Sequence, residues 1–168
     1  MIHVCSLALL PDTVRSTGAS HVITVMADID KVQRPASILA DNHLRVSMDD
    51  ITAPADGFVA PQRDHIEQFL AFGRRWDRTA PMVVHCYAGI SRSTATAFAI
   101  ACALNPERDE AAIARKLRAD SPTANPNLLI ITHADELLGR KGRMIRALTD
   151  IGPGDMCIEG RPFRIDLE

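Results

Sequence analysis

The sequence of 168 residues predicts an α/β layered fold, with a four- to five-stranded, mainly parallel sheet covered by helices on both faces. Three observations predict it. Short apolar, β-branched runs alternate along the chain with longer stretches of helical period. No internal repeat, low-complexity segment or long linker interrupts that alternation. The run Met82-Val83-Val84, after Pro81, is continuously apolar, as a strand buried on both faces of a parallel sheet must be. Length and continuity together imply a single domain over residues 1–168, with about 150–168 as a C-terminal extension.

Taken in order, Ile2 to Leu10 reads as a first strand, and Pro11 to Arg15 begins a turn or short helix ending near Gly18. His21 to Met26 reads as a second strand. Asp41 to Met48 alternates apolar and polar at Leu44, Val46 and Met48, which suits an edge-side third strand. The stretch Asp49 to Pro54, followed by Asp56-Gly57, is a turn-rich loop. Pro61 is expected to open an amphipathic helix with Ile66, Phe69, Leu70 and Phe72 on its buried side. The basic end Arg74 to Arg78 reads as a solvated helix terminus, and Trp76 as a core plug. From Ser93 to Leu104 the chain is rich in alanine and stops at Asn105-Pro106, which predicts a buried helix. Asp109-Glu110 starts another helix through Ala119 with its acids at the positive end. Asn127 looks like the N-cap or a first-turn residue of a helix stopped by Gly139, and a short last helix covers Met144 to Leu148. Beyond Gly152 the chain is turn-rich, with Phe163, Ile165 and Leu167 alternating like a strand or a packed tail.

Composition excludes several classes of function. A net charge of -2 supplies no field for nucleic acid or an anionic membrane. Met1 to Leu10 lacks a basic leader and reads as a strand rather than a signal peptide, and no apolar run is long enough to span a bilayer. The four cysteines, Cys5, Cys86, Cys102 and Cys157, show no Cys-x-x-Cys spacing, and the six histidines show no paired metal spacing. Neither a metal nor any other cofactor is expected. A reducing, cytoplasmic location fits best.

The chemistry concentrates at His85-Cys86-Tyr87-Ala88-Gly89-Ile90-Ser91-Arg92-Ser93, a loop between a strand end and a helix start. Successive amides of such a loop can point inward as an anion nest, with the positive end of the helix dipole aimed at the same spot. Gly89 lets the backbone curl tightly, and Arg92 offers a planar fork of donors for two phosphate oxygens. Cys86 lies at the bottom of this cradle. A free thiol of pKa about 8.5 falls to roughly 3.5 to 7.5 beside a helix N-terminus and a cation, so Cys86 is expected to be a thiolate placed for in-line attack on phosphorus.

These nine residues match the His-Cys-x-x-Gly-x-x-Arg-Ser/Thr signature, and the chain resembles the cysteine-dependent protein tyrosine phosphatases, most closely their dual-specificity branch. The resemblance spans roughly Ile2 to Leu138. It implies a single-domain protein tyrosine phosphatase-like fold and a phosphoric monoester hydrolase working through a cysteinyl-phosphate intermediate. Carried over, it makes Cys86 the nucleophile, Arg92 the phosphate clamp, Ser93 the hydroxyl assisting breakdown of the phosphoenzyme, and Tyr87, Ala88, Gly89, Ile90, Ser91 and Arg92 the substrate-binding loop. His85 orients that loop and Asn127 helps brace it. The family's general acid is an aspartate upstream of the signature. Asp50 holds that place in Val46-Ser47-Met48-Asp49-Asp50; Asp49 stays open, since neighbours in an extended stretch point to opposite sides, and Asp56 is more distant.

The expected partner is a phosphotyrosine-containing protein or a small aryl or alkyl phosphate monoester, with phosphoserine and phosphothreonine open. Tyr87, Ala88 and Ile90 carry no charge, which weighs against inositol polyphosphates and phosphoinositides. A rhodanese-like sulfurtransferase and a catalytically silent phosphoprotein-binding module are the alternatives. Physiological substrate, oligomeric state and the role of the tail are not legible.

Overall fold

A computed structural model describes residues 1–167. Five strands form one sheet in the order β3-β2-β4-β1-β5, with β1 at Ile2–Ser6, β2 at His21–Val25, β3 at His43–Val46, β4 at Met82–Cys86 and β5 at Phe163–Ile165. The first four run parallel and β5 lies antiparallel on β1. β4 is central, paired with β1 from Ile2↔Met82 to Ser6↔Cys86 and with β2 on its other side, and all five of its residues are buried. That double pairing is why its sequence is apolar throughout.

Helices cover both faces. On one, α1 (Leu10–Thr17) packs Leu10 and Val14 over Cys5, Val22 and Val83, with Val32 and Ile38 completing the layer. On the other lie α2 (Arg63–Arg75), α3 (Arg92–Leu104), α4 (Glu110–Asp120), α5 (Leu128–Leu137) and α6 (Arg143–Ile151). They pack on Ile2, Val4, Ile23, Val25, Met82 and Val84. α3 is buried along almost all its length, and its alanines let it lie close to the sheet. Trp76 plugs this core, with Nε1 donating to Ala80 O at 2.9 Å.

Several element bounds differ from the sequence reading. β1 ends at Ser6, the last residue paired with β4, and Leu10 already belongs to α1, whose first turn accommodates Pro11. β3 begins at His43 rather than Asp41, and Met48 is buried without being part of the strand. α2 starts at Arg63 rather than Pro61, after an extended Gln62 whose N–H is taken by His65 Nδ1 at 3.2 Å. α6 runs past both ends of Met144 to Leu148. The tail residues Phe163–Ile165 add an edge strand to the sheet. Among the described residues no helix is long and apolar enough to cross a membrane.

Candidate active site

Open parallel sheets place ligands at the carboxyl ends of their strands, where neighbouring connections diverge. Here the loop from β4 into α3 occupies that place. Gly89 turns the loop with φ of 73°, and a Cβ there would stand 2.8 Å from Cys5 C and Ser6 N. Glycine alone fits both the left-handed backbone and the contact with β1.

The loop carbonyls face outward and are held by the surrounding fold. Tyr87 O accepts from Leu7 N at 3.1 Å, and Ala88 O from Gly160 N at 2.9 Å. Ile90 O accepts from Asn125 N at 2.9 Å and from Thr94 Oγ1 at 2.6 Å. Ser91 O accepts from Ala95 N at 3.0 Å and Asn127 N at 3.4 Å. A planar trans peptide points its N–H opposite its C=O, so the matching amides face the interior of the curl. The Cys86 sulfur lies at its base, receiving Gly89 N–H at 3.3 Å, with Ser93 Oγ 3.1 Å away. A donor aimed at sulfur, as the Gly89 N–H is, solvates a thiolate.

Behind the loop, His85 Nε2 lies 2.7 Å from Thr24 Oγ1, which lies 2.8 Å from His43 Nε2. His85 Nδ1 lies 3.3 Å from Cys86 O. Burial, only partly offset by that carbonyl, pushes His85 down to about 4. Burial, with the cations Arg45 and Arg34, does the same to His43. Both imidazoles are neutral at pH 7. Thr24 and His43 escaped the sequence reading, although a threonine between Ile23 and Val25 in a buried strand demands a hydrogen-bond partner.

Arg92 opens α3, gives Nη1 to Met48 O at 2.9 Å, and keeps a buried Nε without a hydrogen bond. Asp50 Oδ2 stands 3.8 Å from that Nε. Its Oδ1 accepts from Ser91 Oγ at 2.7 Å and from Asn127 Nδ2 at 2.9 Å. Asp49 is turned elsewhere: Oδ2 accepts from Val59 N at 2.7 Å, and its own N–H donates to Val59 O at 2.7 Å. Asp56 is exposed and takes no part in this cluster.

Asn127 meets several elements at once. Its Oδ1 caps α5 through Leu129 N and Ile130 N, both at 3.1 Å, while its Nδ2 reaches the loop of Asp50 and Ile51. Its main-chain N–H donates to Ser91 O of the signature loop. Tyr87 stands exposed at the rim, whereas Ala88, Ile90 and Ser91 are half-buried. Burial pushes the Cys5 and Cys102 thiols up to about 12, so both are inert beside Cys86.

The protein-tyrosine phosphatase profile matches residues 22–122, more than half of the chain. No curated protein sequence matches it. Among solved structures the chain is similar to human DUSP28, at 17% identity over 83% of this chain and 89% of that one, with a TM-score of 0.65. It is similar to DUSP15, at 19% identity over 92% and 94%, with a TM-score of 0.61. It is also similar to PTPMT1 in complex with PI(5)P, at 18% identity over 88% and 94%, with a TM-score of 0.59. At these identities the likeness speaks for the fold, and it is the dual-specificity phosphatase fold. Neither a sulfurtransferase nor a silent binding module is favoured by that set. The family profile, the strand order and the loop at the end of β4 agree: this chain belongs to the protein-tyrosine phosphatase family and is a cysteine-dependent phosphatase.

Proposed function

We propose that the chain dephosphorylates phosphotyrosine, and with it phosphoserine and phosphothreonine, on proteins by double displacement through Cys86. In the first step Cys86 Sγ forms a bond to phosphorus as the ester P–O bond breaks, and Asp50 gives its proton to the departing oxygen. The inward amides and Arg92 gather the three remaining phosphoryl oxygens as charge shifts onto them. An arriving phosphate dianion draws Arg92 away from Asp50 and leaves the carboxyl free for proton transfer. In the second step water attacks the phosphocysteine, Asp50 takes the water's proton, and the Ser93 hydroxyl, 3.1 Å from Sγ, eases departure of sulfur as thiolate. Inorganic phosphate leaves.

One observation carries this reading: the Cys86 sulfur at the base of the loop, with Gly89 N–H and Ser93 Oγ on it and the Arg92–Asp50 pair beside it. The preference for proteins rests on the loop side chains. Tyr87 offers an exposed ring face for an aryl substrate, and Tyr87, Ala88 and Ile90 supply no cation beyond Arg92 for the extra phosphates of a phosphoinositide, although PTPMT1 is seen with PI(5)P. A thiolate that must stay reduced suits the cytoplasm. The test is turnover of p-nitrophenyl phosphate, of phosphopeptides and of PI(5)P, with acid-quench trapping of phosphocysteine. Turnover and trapping that both vanish in Cys86→Ser are expected. No turnover of any ester would overturn the mechanism, and turnover of PI(5)P alone would overturn the substrate class.

A further inference from the structure

The chain after α6 leaves the body and comes back to the signature loop. Gly152 O is held by Arg118 Nη2 at 2.8 Å and Asp155 N by Pro122 O at 2.9 Å. Met156 and Ile158 then stand almost fully in solvent. At the next two residues the tail is caught again. Glu159 Oε1 accepts from Ser6 Oγ at 2.5 Å, and Ser6 is wholly buried at the end of β1, paired with Cys86. Gly160 is buried, and its N–H donates to Ala88 O at 2.9 Å. A Cβ at Gly160 would come within 2.9 Å of Gly89 O, so only glycine approaches this closely.

Ala88 O and Gly89 N are the two ends of one peptide unit. Because that unit is planar and trans, a grip on its carbonyl fixes the direction of its N–H. The outer end is gripped by Gly160, and the inner end donates to Cys86 Sγ at 3.3 Å. The carbonyls of Tyr87, Ile90 and Ser91 are held by Leu7, Asn125, Thr94, Ala95 and Asn127, all within the body of the fold. The Ala88 carbonyl is held by the tail. It adjoins a glycine of positive φ, where rotation of the peptide meets the least resistance.

We propose that Glu159 and Gly160 form a clasp that positions the Ala88–Gly89 peptide, so that its N–H stays on the nucleophile sulfur. The proposal rests on the mechanism above for its effect on turnover, but not for its effect on the thiol. Neither clasp residue touches a reacting atom. Both act through one peptide plane, and the tail is thereby a working part of the cradle.

The test uses the full chain and two readouts: kcat on p-nitrophenyl phosphate, and the pH dependence of Cys86 alkylation by iodoacetamide. Gly160→Ala is expected to lower kcat roughly 10- to 100-fold, the scale of a displaced donor. Glu159→Ala is expected to lower it about three- to tenfold, the scale of one hydrogen bond to a charged group. In both, the midpoint of alkylation moves to higher pH at a temperature where thermal melts show the variant folded, so that an unfolded thiol does not supply the shift. Glu159→Gln keeps the acceptor and recovers most of the loss. Its charge separates the two explanations: if Glu159 acted on the thiolate only as a negative charge, Ala and Gln would both move the midpoint to lower pH, and the clasp would be wrong. An unmoved midpoint in folded Glu159→Ala also overturns it, whatever Gly160→Ala does. A wild-type chain that hydrolyses no ester would sink the proposed function, while a midpoint that moves to higher pH with Glu159→Ala would still uphold the clasp.

Discussion

Two arginine–carboxylate clusters in this fold share their chemistry and differ in what they leave open. In one, the Glu110 carboxylate, 3% exposed, lies 3.2 Å from Arg140 and receives Arg143 through two hydrogen bonds of 3.0 and 3.1 Å. Arg140 also closes Pro106 O and Cys102 O. Burial pushes the Glu110 carboxyl up, but Arg143 and Arg140 outweigh it and hold the group below the usual carboxylate range. In the other, Asp50 and Arg92 stand 3.8 Å apart without a hydrogen bond between them. Each is steadied by third parties: Ser91 and Asn127 for Asp50, and Met48 O for Arg92. The closed cluster ties α4 to α6. The open one leaves Arg92 Nε without a hydrogen bond and the Asp50 carboxylate partly exposed, the arrangement that the proposed phosphate binding and proton transfer call for.

The contrast makes a crossed prediction. Asp50→Ala is expected to lower kcat on an alkyl phosphate by about 100- to 10,000-fold, and less on p-nitrophenyl phosphate, whose leaving group needs little protonation. Its Tm should stay within about 2 °C of wild type, since the carboxylate is partly exposed, makes no hydrogen bond with Arg92, and leaves Asn127 Nδ2 with Ile51 O as an acceptor. Glu110→Ala leaves buried Arg140 without its counter-ion. It should cost about 3 kcal/mol, or roughly 6–12 °C in Tm, with unchanged kcat per folded molecule. Thermal melts and single-temperature kinetics on the two variants check both halves. A large Tm loss in Asp50→Ala, or a kcat loss in folded Glu110→Ala, would erase the distinction.

The open cluster was far more legible in the sequence than the closed one. Cys86, Gly89, Arg92 and Ser93 sit in nine consecutive residues, so spacing alone announces a curled loop. Asp50 was legible through the place it holds in Val46-Ser47-Met48-Asp49-Asp50, with Asp49 left open because an extended stretch sends neighbours opposite ways and says nothing of which way is inward. In the structure Asp49 is turned to Val59 N, and Asp50 to Ser91 and Asn127. Glu110 looked like an ordinary acid in a first helical turn, a part that Asp109 plays by accepting from Ala111 N. Its true partners come from about thirty residues downstream and meet it only once α4 packs on α6. Gly160 was equally silent. In a stretch rich in glycine and proline, turn-forming residues encode a loop but not where the loop lands.

Behind the loop, the pair His85 and Thr24 resembles the closed cluster in being built to stay as it is. His85 is held neutral, with a folded pKa of about 4 against 6.5 when unfolded. Above pH 6.5 neither state binds the proton, and stability does not depend on this group. As pH falls from 6.5 toward 4 the unfolded chain takes up a proton that the folded chain refuses, so stability is lost through that window. For this buried imidazole the loss reaches up to about 3 kcal/mol, and His43 acts in the same direction. Denaturant midpoints at pH 7.0, 5.5 and 4.5 should therefore fall more steeply in wild type than in His85→Gln. Parallel declines would mean that His85 accepts protons in the fold, and that it is not closed at all.

Asn127 belongs to both kinds of cluster at once, and so provides the smallest and sharpest test of the contrast. Its Oδ1 caps α5, a contact of stability, and its Nδ2 holds Asp50, the proposed acid. Asn127→Ala removes both, with an expected cost of about 1 kcal/mol from the lost cap and a several-fold fall in kcat on alkyl phosphates. Serine caps a helix about as well as asparagine but has no amide nitrogen to offer. Asn127→Ser is therefore expected to melt near wild type while keeping the kcat defect of the alanine variant. If serine restored kcat together with Tm, the bond to Asp50 would be incidental, and the acid's place would be set by Ser91 and the loop backbone alone.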